Sequence, residues 1–183
     1  MTELAMLAQI TGTSERTLRR AANRGTIRAI RRSPRRVLVP SSEHEFVRRR
    51  WPLIRGLIQE LRTLPNVRLA TLFGSTARGD DSPGSELDVL VQLRNDGLDE
   101  RAQVAERLEA ASGRPVQLVS LEDALGAASL LAAAHSDGRV LVDREGGWQT
   151  LKSREPAIRR EAQKADRQLK VDAWSALEEL GIT

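Results

Sequence analysis

Between Leu72 and Val91 the chain concentrates residues suited to holding phosphate and a divalent cation. Leu72-Phe73-Gly74-Ser75-Thr76-Ala77-Arg78-Gly79 runs through a polar loop to Glu86-Leu87-Asp88-Val89-Leu90-Val91. Side chains alternate along a strand, so Glu86 and Asp88, two residues apart, point to one face. Two carboxylates on one face can hold Mg²⁺, a hard cation that prefers oxygen ligands and substrate phosphates. Gly74 lets the backbone approach a phosphate, and the Ser75 N–H and hydroxyl can bind its oxygens. Arg78 can neutralise charge nearby. Together these groups suit metal-assisted nucleotidyl transfer, where positioning and charge neutralisation do most of the work.

The elements that must position them read as alternating strands and helices. Val67–Phe73 is a strand, Gly74 to Ser85 a loop, and Leu87–Val91 a second strand. Leu98–Ser112 is a helix with Ala102, Ala105, Leu108 and Ala111 at helical spacing. Val116–Val119 is a third strand, Glu122 to about Ala134 a helix, and Arg139–Val142 a short edge strand. From about Trp148 the tail is helical. Ile158, Ala162, Ala165, Leu169, Ala173, Leu177 and Leu180 form one apolar stripe on it, suited to the protein's own sheet or to a helical interface such as a homodimer.

From Val67 to Val142 the sequence resembles the DNA polymerase β-type nucleotidyltransferase superfamily, and specifically its minimal nucleotidyltransferases. Their pattern is Gly-Ser, ten residues, then Asp-x-Asp; here Gly74-Ser75 is followed by ten residues and Glu86-Leu87-Asp88. The resemblance implies that Gly74, Ser75 and Arg78 bind nucleotide. It implies that Glu86 and Asp88 are the catalytic and metal-binding pair, with Mg²⁺ and an NTP, ATP first, as cofactors of an active enzyme. Two residues depart from the pattern. Glu86 keeps the charge of the first Asp but adds a methylene. Gln117, in Val116-Gln117-Leu118-Val119, stands where the family has a third acid, and an amide is neither a base nor an anion. Glu122 and Asp123, just past that strand, are the candidates to substitute for it. Many minimal nucleotidyltransferases are antitoxin partners of a small helical ribonuclease toxin, so the resemblance also implies a protein partner of that kind.

The charge is unevenly spread. Residues 1–50 hold 12 Arg against 4 Asp or Glu, a balance of +8, while the remaining 17 basic and 21 acidic residues balance at −4. Such a split suggests that the basic part meets a polyanion. Residues 3–10 read as a helix, Thr11-Gly12-Thr13 as a break, and Ser14 as the cap of a second helix closed by Gly25. Two strand-like pieces, Thr26–Ile30 and Val37–Val39, flank a basic run with Ser33 and Pro34 at its centre, which reads as a hairpin tip. The stretch LAQITGTSERTLRRAANRGTIRAIRRSPRRVLVP resembles the winged helix-turn-helix of MerR-type regulators and phage excisionases. That likeness implies duplex DNA binding, with the second helix in the major groove. The candidates on that helix and just beyond it are Ser14, Arg16, Thr17, Arg19, Arg20, Arg24 and Arg28. The wing offers Arg31, Arg32, Arg35 and Arg36 for backbone or minor groove.

The expected fold class is α+β. Residues 1–50 form a winged helix-turn-helix domain and 51–64 a linking helix, begun or kinked at Pro52. Residues 65–146 form a nucleotidyltransferase-fold domain with a mixed sheet, and 147–183 a helical tail. Cysteine is absent, which excludes disulfides, thiolate metal sites and a cysteine nucleophile. The N-terminus has no leader pattern, and no run approaches the ~18 apolar residues of a membrane span; the cytoplasm is the expected compartment. His44 and His135 lack metal-ligand spacing, Trp51, Trp148 and Trp174 suit packing, and Asp80 and Asp81 suit turn chemistry. The expected function is a DNA-binding transcriptional regulator carrying a nucleotidyltransferase-fold domain, an antitoxin-like autoregulator. The alternatives are an active Mg²⁺-dependent adenylyl- or nucleotidyltransferase that modifies a partner protein, and a toxin of the same fold that acts on tRNA.

Overall fold

The computed structural model describes residues 2–33 and 36–179. Its centre is a mixed four-stranded sheet of β4 (Val67–Phe73), β5 (Leu87–Leu93), β6 (Val116–Ser120) and β7 (Arg139–Asp143), in the order β6-β5-β4-β7. β4 runs antiparallel to β5 and β7, and β5 runs parallel to β6. Every residue of β4 except Arg68 is buried, because both faces of the sheet are covered. On one face Ala70, Leu72, Val89 and Val91 pack with α3 (Ser41–Thr63) and α5 (Leu98–Ser112) through Ile54, Leu57, Leu61 and Leu108. On the other, Leu69, Phe73 and Leu90 pack with α6 (Leu121–Leu125), α7 (Ala128–Asp137), α8 (Gly147–Ser153) and α9 (Glu155–Glu179), through Leu131, Trp148 and Ile158. This is an α+β architecture of the nucleotidyltransferase kind.

The N-terminal part holds α1 (Leu4–Thr11) and α2 (Glu15–Arg24), with a small antiparallel sheet of β1 (Thr2–Glu3), β2 (Ile30–Arg31) and β3 (Val37–Val39) in the order β1-β3-β2. Ser14 caps α2 by accepting from the Thr17 N–H at 3.2 Å, and Gly25 closes it at φ +92°. Leu4, Leu7, Leu18 and Ile27 belong to the same hydrophobic core as Ile54, Leu72 and Val91. The basic N-terminal part and the sheet therefore share one interior.

Local structure departs from expectation at four places. Gly74–Arg78 is a short helix, α4, where a loop was expected. β2 is shorter than Thr26–Ile30, because Thr26 and Ile27 are drawn into the core instead of pairing. The helix expected over 122–134 is split at Gly126 into α6 and α7. α3 runs unbroken for 23 residues across position 50, with Pro52 on its exposed side. On the tail, the stripe is buried at Ile158 and Ala162, while Leu169 and Trp174 are exposed; Leu180 lies outside the described residues.

Candidate functional site

β4 delivers the chain to Phe73, which pairs with Asp88 on β5. Gly74 then turns at φ +70°, and a Cβ there would lie 2.1 Å from Asp88 Oδ2. Only glycine permits this approach, both for its positive φ and for the space. α4 follows and ends at Gly79, whose N–H donates to the Ser75 carbonyl at 2.8 Å. Gly74, Ser75 and Asp88 thus meet where β4 ends and β5 begins, on the sheet face that carries Leu90 and Phe73.

Asp88 is half-buried and Glu86 exposed. Burial raises the Asp88 carboxyl above the ordinary aspartate range, and the Glu86 charge raises it further, while Arg78 pulls it down. Arg78 lies close enough to act on Asp88, but carboxylates already hold it. Its Nε is 3.1 Å from Asp80 Oδ2 and its Nη1 2.6 Å from Asp137 Oδ2. Gln117 sits directly beside Asp88 in the parallel register. The position of the missing acid is therefore filled by an exposed amide next to the remaining carboxylate. Glu122 and Asp123 do not replace it. β6 carries the chain past Ser120, opposite Val91, before reaching them. Three residues of strand advance about 10 Å. Asp123 is moreover held by Arg101 at 2.7 Å.

The loop between α4 and β5 has an anchor that sequence reasoning assigned to turn chemistry. The Asp81 side chain is 1% exposed and pairs with Arg50 of α3 at 2.5 Å and with Arg114 at 2.9 Å. Arg114 also donates to the Thr76 hydroxyl at 3.0 Å and to the Ser85 carbonyl at 2.8 Å. Asp81 and Arg114 thereby fix both ends of the segment that presents Glu86. Their spacing in sequence carries no signal of this. A second buried hub is Arg139, at the start of β7. It pairs with Glu43 and donates to the carbonyls of Ala77 at 2.5 Å and Thr26 at 3.3 Å. It ties α4 to α3 and to the N-terminal part.

The residues expected to meet DNA differ in their surroundings. Ser14, Arg16, Thr17, Arg20, Arg32 and Arg36 are exposed. Arg19 pairs with Glu15, and the Arg31 guanidinium donates to Asn23. Arg24, partly buried, and Arg28, itself exposed, donate to the Leu141 carbonyl at 3.0 Å and the Asp137 carbonyl at 3.2 Å. Arg35 lies outside the described residues.

Residues 56–146 match the family described as Polymerase beta, Nucleotidyltransferase. This segment, which holds Gly74, Ser75, Glu86 and Asp88, is a nucleotidyltransferase domain. Among solved structures, a toxin-antitoxin complex with AMP-PNP is similar at 24% identity and a TM-score of 0.54, over 67% of this chain and 98% of that one. A MntA-HepT toxin-antitoxin structure is similar at 22% identity and a TM-score of 0.50, over 67% of this chain and 97% of that one. The Shewanella oneidensis structure of a tri-AMPylated HEPN toxin in complex with MNT antitoxin is similar at 22% identity and a TM-score of 0.50, over 67% and 96%. These likenesses show the fold. No curated protein matches the chain. Among the described residues no helix is long and apolar enough to cross a membrane.

Proposed function

We propose that the protein transfers a nucleotidyl group, AMP first, from an NTP to a hydroxyl of a partner protein, and that it serves as the antitoxin of a toxin-antitoxin pair. The observation that carries this reading is the seating of Asp88 against Gly74, with Glu86 two residues away on the open side. Among the described residues no group of three or more metal-binding side chains exists. The pair suits one Mg²⁺ that arrives with phosphate oxygens, the ordinary habit of that ion. The raised Asp88 carboxyl fits the same reading, since a cation would relieve its repulsion with Glu86. Bound there, Mg²⁺ would neutralise the phosphates and orient them. Gly74 and Ser75 hold the triphosphate close to the sheet. The acceptor oxygen bonds to the α-phosphorus and pyrophosphate leaves. Gln117 cannot take the hydroxyl proton, so it passes to solvent and the reaction is slow. The toxin-antitoxin setting draws support from the similar structures, one of which contains an AMPylated toxin.

A second activity has its own observation. Arg16, Arg20, Arg32 and Arg36 are exposed along α2 and the β2–β3 hairpin, an arrangement suited to duplex DNA. The protein then also represses its own promoter, as a regulator with a nucleotidyltransferase-fold domain.

Incubation with α-³²P-ATP and Mg²⁺, with and without the neighbouring gene's product, tests the first reading. Label on that product, lost in Asp88→Ala, is the expected result. Label on tRNA instead would make the protein a toxin of the same fold. Absence of label with every nucleotide and metal would leave the DNA-binding role alone.

A further inference from the structure

A cleft of about 350 Å³ lies between α2 and α3, lined by no residue of the Gly74–Asp88 site. Arg20 and Arg24 face it from α2; Arg55 and Arg62 face it from α3. Its apolar lining is Ala21, Trp51 and Ile58. On α3 the lining residues Trp51, Arg55, Ile58 and Arg62 fall on one stripe at spacings of four, three and four, so a single helix face supplies both the apolar and the charged contacts. The Trp51 indole is fixed by donating to the Thr13 hydroxyl at 2.7 Å, and the Ser14 and Thr17 hydroxyls lie 2.9 Å apart at the mouth. A smaller hollow shares Arg24 and Arg62 and adds Arg144 and the carboxylate of Asp143.

The charges of this cleft are not balanced from within. Among the described residues, Arg20, Arg55 and Arg62 have no carboxylate in ion-pair reach. Asp143, which favours the charge on Arg24 and also accepts from the N–H groups of Gly147 at 3.0 Å and Trp148 at 3.3 Å, is one carboxylate against four arginines. Burial opposes the charge on Arg24 first, and Arg62 and Arg20 add to the opposition. Guanidiniums gathered around one concavity repel one another unless an anion sits between them, and arginine is the side chain best fitted to phosphate oxygens. The volume falls at the low end of small-ligand sites.

We propose that this cleft binds a nucleoside di- or triphosphate, its phosphates on Arg20, Arg24, Arg55 and Arg62 and its base against Trp51 and Ile58. It is a second nucleotide site, independent of Glu86 and Asp88 and requiring no metal.

The test is calorimetric titration of the full chain with ATP in EDTA, where the carboxylate site has no cation to recruit phosphate. The expected result is one equivalent bound by the native chain and by the Glu86→Ala, Asp88→Ala variant, with affinity at least about tenfold weaker in Arg55→Ala, Arg62→Ala. Both arginines are exposed, and an unchanged circular dichroism spectrum and Tm would show that this variant folds. Inorganic triphosphate in place of ATP, binding at least about tenfold more weakly, supports the role given to the base. The proposal is overturned if ATP gives no heat in EDTA, if binding survives in the arginine variant, if it vanishes in the carboxylate variant, or if triphosphate binds as tightly as ATP. Metal-dependent labelling of a partner can succeed or fail whichever way this titration comes out.

Discussion

Glu43, in the first turn of α3, and Arg139, the first residue of β7, form a two-point ion pair inside the core, with Nη2 2.9 Å from Oε2. Glu43 is 4% exposed and Arg139 1%. Glu43 also accepts from the Arg28 N–H at 3.0 Å, and the guanidinium lies 3.3 Å from the centre of the Phe46 ring. Removing one member leaves the other charged and dry. Glu43→Gln or Arg139→Met is expected to cost about 3–5 kcal/mol in urea unfolding. A loss below about 1 kcal/mol would mean that water reaches the site and the pair is not the hub described.

Asp88 gives a prediction that changes with pH. Its carboxyl is raised in the folded chain, so the folded state binds a proton more readily than the unfolded one. Ionised Asp88 therefore opposes folding at neutral pH, and this penalty fades as pH falls through the folded value. Asp88→Asn is expected to raise Tm at pH 7 while abolishing nucleotidyl transfer, with the Tm gain shrinking toward acid pH. A lower Tm at pH 7 in that variant would contradict the burial and repulsion assigned to the carboxylate.

Gln117 is the residue whose replacement should speed the proposed nucleotidyl transfer. It lies beside Asp88 in register and is exposed, so a carboxylate there has room and solvent access. Gln117→Asp is expected to speed label transfer on the order of 10²-fold, the ordinary contribution of a placed general base. Single-turnover labelling measures it. An unchanged rate would mean that proton removal does not limit transfer.

For the proposed DNA binding, Arg16 and Arg28 should behave differently. Arg16→Ala removes an exposed guanidinium and is expected to lower the slope of log affinity against log salt by about 1. Arg28→Ala, whose side chain faces Asp137, should leave the slope unchanged. Equal effects at both positions, in fluorescence anisotropy across a salt series, would remove the assignment of α2 and its hairpin as the contact surface.

The elements whose cues are local in sequence were legible. Ser14 and Gly25 bracket α2 because capping chemistry acts over three or four residues, and Gly74-Ser75 with Glu86 and Asp88 predicted the end of β4 and the start of β5. The α4 helix was missed because its five residues, GSTAR, show no apolar period. The buried charges were missed for a different reason. Asp81 meets Arg50 and Arg114 across 31 and 33 positions, and Glu43 meets Arg139 across 96, so only the folded chain brings them together. Pro52 read as a boundary because proline usually ends a helix. On the exposed side of α3, water can serve the carbonyl that proline leaves without a donor.

β7 closes one side of the sheet, and three of its backbone groups are taken by the N-terminal part. The Val140 N–H donates to the Gly25 carbonyl at 3.4 Å, the Thr26 hydroxyl donates to the Val140 carbonyl, and Arg24 serves the Leu141 carbonyl at 3.0 Å. A bare strand margin is a template for pairing with another chain. The turn after α2 therefore acts as a guard rail against strand addition, and a chain cut before Ser41 would present an adhesive rim. Whatever the basic N-terminal part binds, it also covers part of the sheet's outer margin.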